Sequence, residues 1–204
     1  MTDHTSDARV EFVVETNVPT DHGVFRFRGY RDLLTGADHL AVLSAKSLGE
    51  RPLVRVHSEC LTGEAFGSRK CECGPQLQAA LDRINRDGGA VIYLRGHEGR
   101  GIGLLEKLRA YRLQEEGLDT VDANRALGHG DDEREYGAAA AILHDIGAMQ
   151  VRLLTNNPGK RRDLEAHGIE VVALEPLIVG ENAVNQGYLE TKRDRMGHLL
   201  PDSL

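Results

Sequence analysis

The chain changes texture near residue 60, and no other feature narrows its possible folds as much. Before that point it offers short alternating or β-branched runs, RVEFVVET, GVFRFRGY, HLAVLSA and PLVRVHSE, separated by Pro, Asp and Gly. Beyond it, helical and strand-like stretches alternate. GPQLQAALDRINRDGG sets Leu77, Leu81 and Ile84 on one helical face and stops at Gly88 and Gly89. AVIYLRG reads as a buried strand, and GIGLLEKLRAYRLQEEG as an amphipathic helix closed by Gly117. YGAAAAILHDIG gives a helix with a small alanine face, VRLLT a strand, PGKRRDLEAHG a helix with Pro158 near its start, and IEVVALEPL a further strand. LDTVDANRALGHGDDERE has little periodicity and reads as a long polar loop, of a kind that often carries function. The expected fold is α/β, a mixed sheet with flanking helices and a β-rich N-terminal third, in a single domain over residues 1–204.

Charge bounds the function. With 25 basic against 32 acidic residues the formal charge is −7. That argues against a nucleic-acid partner, and an anionic ligand would need locally gathered Arg and Lys. The start, MTDHTSDARVEF, lacks the basic opening and apolar core of a signal peptide, and the longest apolar run, about AAAAIL, is far too short to span a membrane. Three cysteines cannot pair into a closed disulfide set. A cytoplasmic location without a membrane partner is therefore expected.

All three cysteines fall within CLTGEAFGSRKCEC, residues 60–73. Cys60, Cys71 and Cys73 offer three thiolates, with Gly74 following to let the chain bend. Three readings stand. A histidine closes a structural zinc site, the thiols are buried without a ligand, or three protein ligands leave a fourth position to water, the arrangement that generates hydroxide near neutral pH. His57 is the nearest histidine, but strand alternation turns it away from the side of Cys60.

The other chemistry-bearing stretches are short. RGHEGRGIG joins a strand to a helix, where backbone amides meet anions, and holds Glu98 and Arg100 in a tight turn. It matches neither a P-loop nor the dinucleotide fingerprint. DDERE carries Asp132 and Arg134, which also suit a solvated helix start. TNNPGK places Thr155 at a strand end and Lys160 in the first turn of a helix, a phosphate-binding geometry. Tyr111 lies on the Leu104/Leu108 stripe and on spacing alone is a core residue. Together these residues suggest a zinc hydrolase acting at an electron-poor carbon of a phosphorylated substrate.

RVHSECLTGEAFGSRKCECGPQLQAAL, EGRGIGLLEKLRAYRLQEEGLDTVDAN, DDERE and VRLLTNNPGK, in this order, closely resemble GTP cyclohydrolase II of riboflavin biosynthesis, from about VPTDHG to MGHLL. The resemblance implies a GTP substrate, opening of the guanine imidazole ring, and release of formate and pyrophosphate to leave a diaminopyrimidinone ribosyl phosphate. It implies one Zn²⁺ per subunit on Cys60, Cys71 and Cys73, a requirement for Mg²⁺, and a homodimer. GTP contacts are expected at Arg55, Val56, His57, Ser58, Glu59, Gln76, Glu98, Gly99, Arg100, Thr120, Thr155 and Lys160. Asp132 matches the proton acceptor and Tyr111 an active-site tyrosine. Arg134 matches a residue described in the family as a nucleophile toward the α-phosphorus, although a planar cation clamping that phosphate is the physical default. His97 stands where many members carry Gln. A relative that only partly opens the ring and a zinc-stapled nucleotide-binding module are the alternative readings. Some members carry a dihydroxybutanone phosphate synthase domain ahead of this one, and that activity is not expected of this chain.

Overall fold

The computed structural model describes residues 8–201. Residues 1–7, the opening of the stretch weighed against a signal peptide, and residues 202–204 lie outside the described residues. Seven strands form one mixed sheet: β1 (Val10–Thr20), β2 (Gly23–Asp32), β3 (Asp38–Ser44), β4 (Leu53–Ser58), β5 (Gly89–Leu94), β6 (Gln150–Leu154) and β7 (Glu170–Glu175). Their spatial order is β1-β2-β3-β5-β4-β6-β7. The β1/β2, β2/β3 and β3/β5 pairs are antiparallel, whereas β5/β4, β4/β6 and β6/β7 are parallel. The change of texture in the sequence thus marks a switch from hairpin connections to helical crossovers.

The helices are α1 (Leu61–Glu64), α2 (Cys73–Asp87), α3 (Leu104–Glu115), α4 (Thr120–Ala126), α5 (Gly137–Asp145), α6 (Pro158–Ala166) and α7 (Gln186–Met196). Alternation along the strands feeds two cores. Ala41, Leu43, Val54, Val56, Ala90 and Ile92 face the alanine-rich α5 and Leu164 of α6. Val42, Leu53, Val91 and Leu154 face Ala80 and Ile84 of α2. Leu77 and Leu81 pack at the margin of that second core, as the helical pattern anticipates. At Gly89 the strands approach so closely that an added Cβ would lie 2.0 Å from the Leu53 carbonyl oxygen, at φ +136°. No helix among the described residues is long and apolar enough to cross a membrane.

Three local expectations need correction. The first half of the supposed loop over LDTVDANRALGHGDDERE is helix α4, started by Asp119, whose carboxylate accepts from the Val121 and Asp122 amides at 2.8 and 2.9 Å. The buried face of α3 carries Lys107 and Ala110, while Leu105 and Leu108 are 70% and 46% exposed. Gly74 has no unusual φ. It is needed because a side chain there would strike the Gly63 carbonyl oxygen at 2.5 Å, so its role is close approach rather than a bend.

Candidate active site

The parallel strands β4, β5 and β6 end at one edge of the sheet, the usual place for ligands in sheets of this kind. Cys60 follows β4 as the residue capping α1, and Cys71 and Cys73 sit at the start of α2. The two short approaches at Gly63 and Gly74 draw these segments together. The three sulfurs lie within 4.8 Å of one another, with Cys60 and Cys71 Sγ 3.7 Å apart. Tetrahedral zinc with Zn–S bonds of about 2.3 Å separates its sulfurs by about 3.8 Å, so the donor set fits that ion. Hydrogen bonds from Cys71 and Cys73, with help from Lys107, hold the Cys60 thiol far below its ordinary range, while Cys71 is pushed up to about 11 by the same bond.

His57 does not turn toward these sulfurs. Its Nε2 pairs with Glu64 at 2.9 Å, and its ring stacks on Tyr93. Glu64 also accepts from the Cys60 amide at 2.8 Å and the Tyr93 hydroxyl at 2.5 Å, so one carboxylate ties β4, β5 and the first cysteine together. Burial lowers the His57 pKa to about 4, and the ring is neutral at pH 7.

The RGHEGRG segment folds as a tight turn in which Arg100 adopts φ 67°, the one non-glycine at positive φ among the described residues. Glu98 within it is already committed. It accepts from the Leu61 amide at 2.6 Å and the Gly99 amide at 3.2 Å, and pairs with Lys107. The Lys107 ammonium also donates to Thr62 Oγ1 at 2.8 Å and lies 3.2 Å from Cys60 Sγ. Tyr111, one turn along α3, leaves the core expected for it and lines the cavity beside Cys60, Cys71 and Cys73. Burial pushes its hydroxyl up to about 12, which keeps it a proton donor at neutral pH.

The cavity beside the cysteines adjoins a second one. They share Ser58, Cys73, Arg100, Arg134 and Tyr188 and form one cleft. Five basic side chains line the second part: Arg55, Arg100, Arg134, Lys160 and Lys192. Arg55 donates to the Leu154 carbonyl at 3.1 Å and to Gln76 at 2.7 Å. Lys160 donates to the Val56 carbonyl at 2.7 Å, and burial, with Arg55 nearby, drives its pKa well down. Lys192 pairs with Glu72 at 2.5 Å. Arg134 is fixed by Asp132, which accepts from its Nε at 2.8 Å and its Nη2 at 2.5 Å. Burial opposes the charge of Asp132, but the bonds from Arg134 prevail and hold its pKa down.

The expected residues gather unevenly. Ser58, Glu59, Glu98, Gly99, Arg100, Thr120 and Arg134 line the first part of the cleft, and Arg55, His57, Gln76, Thr155 and Lys160 the second. Val56 sends its side chain into the core and offers only backbone, and Asp132 reaches the cleft through Arg134. His97 lies 3.3 Å from the Ser58 hydroxyl. Sequence reading missed Lys107, Glu64, Tyr136, Tyr188 and Lys192. Of these, Tyr136 had a faint signal, two residues beyond Arg134 in DDEREY.

Unmet hydrogen-bonding capacity marks the same place. Six buried side-chain atoms lack a hydrogen-bond partner among the described residues, Arg28 Nε (which lies 3.2 Å from the Glu15 carboxylate), Arg55 Nε, His57 Nδ1, Glu72 Oε2, Arg100 Nη2 and Tyr136 Oη. Arg55, His57, Glu72 and Arg100 line the cleft, and the Tyr136 ring lies against Arg134 and Lys160. Unsatisfied buried polar atoms cost about 1–3 kcal/mol each, and a polar ligand relieves that cost.

Comparison with known proteins places the chain in a family. The family whose profile matches residues 11–176 is described as GTP cyclohydrolase II. The riboflavin biosynthesis protein RibBA of Salinispora arenicola (strain CNS-205) is 56% identical over 197 residues, covering 96% of this chain and 47% of that relative. RibBA of Mycobacterium marinum (strain ATCC BAA-535 / M) is 53% identical over 200 residues, covering 95% and 47%. The chain thus spans about half the length of the curated relatives it matches. A solved structure of RibBX, a two domain 3,4-dihydroxy-2-butanone 4-phosphate synthase from A. baumannii, is similar at TM-score 0.48 and 18% identity over 86% of this chain and 42% of that one, a likeness too slight to bear on the site.

Proposed function

The chain belongs to the GTP cyclohydrolase II family, and from that premise we propose that it hydrolyses GTP, opening the guanine imidazole ring with release of formate and pyrophosphate as the first step of riboflavin biosynthesis. The observation that carries this reading is the single cleft with three sulfurs at one end and five basic side chains, among buried atoms without a hydrogen-bond partner, at the other. A purine triphosphate has matching ends, a ring carbon to be hydrolysed and a polyanion to be held. In a chain of formal charge −7 such a gathering of basic side chains favours an anionic ligand.

Cys60, Cys71 and Cys73 would hold Zn²⁺, which when bound supplies Lewis acidity and activates water. Tyr111, protonated and beside the sulfurs, is placed to give a proton to a ring nitrogen as a C–N bond breaks. Arg55, Lys160 and Arg134 would receive the triphosphate and neutralise charge as pyrophosphate leaves, and Mg²⁺, when bound, would add to that neutralisation. Arg134 stays a cation: burial opposes its charge, but Tyr136 and Asp132 more than compensate. The two hydrogen bonds it donates to Asp132 fix the guanidinium plane and support a clamp on the α-phosphate over a nucleophile. Asp132, held ionised by Arg134, keeps in this reading the proton-acceptor role that the family resemblance gives it.

This reading takes residues 1–204 as one cyclohydrolase domain acting in the cytoplasm as a homodimer, with neither nucleic acid nor membrane as partner. Incubation with GTP, Mg²⁺ and zinc, followed by mass spectrometry of every product, tests it. Formate, pyrophosphate and the diaminopyrimidinone ribosyl phosphate are expected. Unchanged GTP, or a product that keeps the formyl carbon, refutes it.

A further inference from the structure

Lys107 has no task in the chemistry above, yet its ammonium is buried against the cysteine cluster. Burying an ammonium is costly unless it is paired. Glu98 supplies the pairing, but it does not explain why the ammonium also lies 3.2 Å from Cys60 Sγ, with Thr62 Oγ1 accepting from it at 2.8 Å. Thr62 itself lies 3.8 Å from the same sulfur, so the ammonium is tethered on the cysteine side of Glu98.

Charge gives that position a purpose. Three thiolates around a divalent cation leave one net negative charge in a buried place, and Glu98 adds another beside it. Lys107 touches both the sulfur and the carboxylate. An N–H donated to a metal-bound thiolate draws electron density from the sulfur and leaves the metal more electron-withdrawing. Helix α3 turns this lysine inward while leaving Leu105 and Leu108 to solvent, the reverse of what hydrophobicity alone would select.

We propose that Lys107 is a positioning residue for the metal centre: its ammonium donates to the Cys60 thiolate, balances the charge of the three-thiolate site and sets the electron-withdrawing power of the ion held there. This rests on the zinc reading given above.

Cobalt-loaded protein provides the test, since its near-ultraviolet thiolate-to-metal charge-transfer bands report directly on the sulfurs. The double variant Lys107→Met/Glu98→Gln removes the ammonium without leaving an unpaired carboxylate, and circular dichroism establishes that it folds. Its bands should move to lower energy, and its zinc dissociation constant, from chelator competition, should rise about tenfold or more. Glu98→Gln alone leaves the lysine on the sulfur and should keep the bands near those of the parent. A double variant with parental bands and parental zinc affinity overturns the proposal. So does a Glu98→Gln single variant that reproduces the whole shift, because Lys107 would then act only through Glu98. A parent chain that takes up neither zinc nor cobalt fails at an earlier step, and there the zinc reading itself falls.

Discussion

Arg134→Lys keeps the charge and removes the plane. In the parent, Asp132 accepts from Nε at 2.8 Å and Nη2 at 2.5 Å, while Nη1 reaches toward the Ser58 hydroxyl at 3.4 Å. Two bonds on one edge of the guanidinium therefore aim the other edge into the cleft. A lysine ammonium has no second edge, and the nearest strong acceptor, Asp132, would capture it. The variant should lose one charge-assisted bond to phosphate, about 1.5–3 kcal/mol. That corresponds to roughly 10- to 150-fold in kcat/KM for GTP. The assay follows formate and pyrophosphate together, with a thermal melt showing an intact fold. A kcat/KM within about threefold of the parent would show that the planar fork does not matter and that Arg134 is a cation of the surface.

Four further outcomes are expected. Gly63→Ala places a Cβ 2.7 Å from Cys71 Sγ and 3.2 Å from Cys60 Sγ, and should lower zinc affinity by about tenfold or more in a folded protein; a parental zinc titration refutes the packing argument. Cys71→Ser should deplete zinc and abolish formate while some pyrophosphate release continues, and strict parallel loss of both products would mean that the two ends of the cleft do not act separately. GTP should be preferred over ATP, because acceptors that pair with the guanine donors are left unsatisfied by adenine at about 1–3 kcal/mol each; equal kcat/KM for the two contradicts this. Burial lowers the pKa of His57 to about 4 and those of His97 and His198 to about 3, so the unfolded chain takes up more protons than the folded one below about pH 6.5. Stability is then full above that pH and falls as acid is added, by about 2 kcal/mol from His57 alone between pH 7 and pH 5; a urea midpoint that stays level or rises over that interval refutes it.

The strands were legible because their pattern is local. VRVHS and AVIYL show their β character without knowing what packs on them, and the cysteine cluster needed only spacing. Lys107 was illegible for the opposite reason. Its burial depends on Glu98 and Cys60, nine and forty-seven positions away, and helical periodicity assigns a lysine to solvent. Helix α7 escaped notice because Leu189 is its one buried residue; Arg195 pairs it with Asp119 and Asp122 of the α4 start, and Lys192 with Glu72. Those ion pairs span more than seventy residues and leave no periodic trace. Helix α4 is seven residues long, too short for its pattern to stand out, although Asp119 is an ordinary capping residue.

The left-handed backbone of Arg100 sets two kinds of selection against each other. A side chain held at φ 67° costs about 1–2 kcal/mol that glycine would not incur. A variant library ranked by melting temperature should therefore enrich Arg100→Gly, whereas the same library ranked by turnover should purge it, since the substitution deletes a cation from the cleft. At this turn, gains in heat resistance are a warning sign, and an engineering campaign scored on stability alone would strip a cation from the cleft while reporting success.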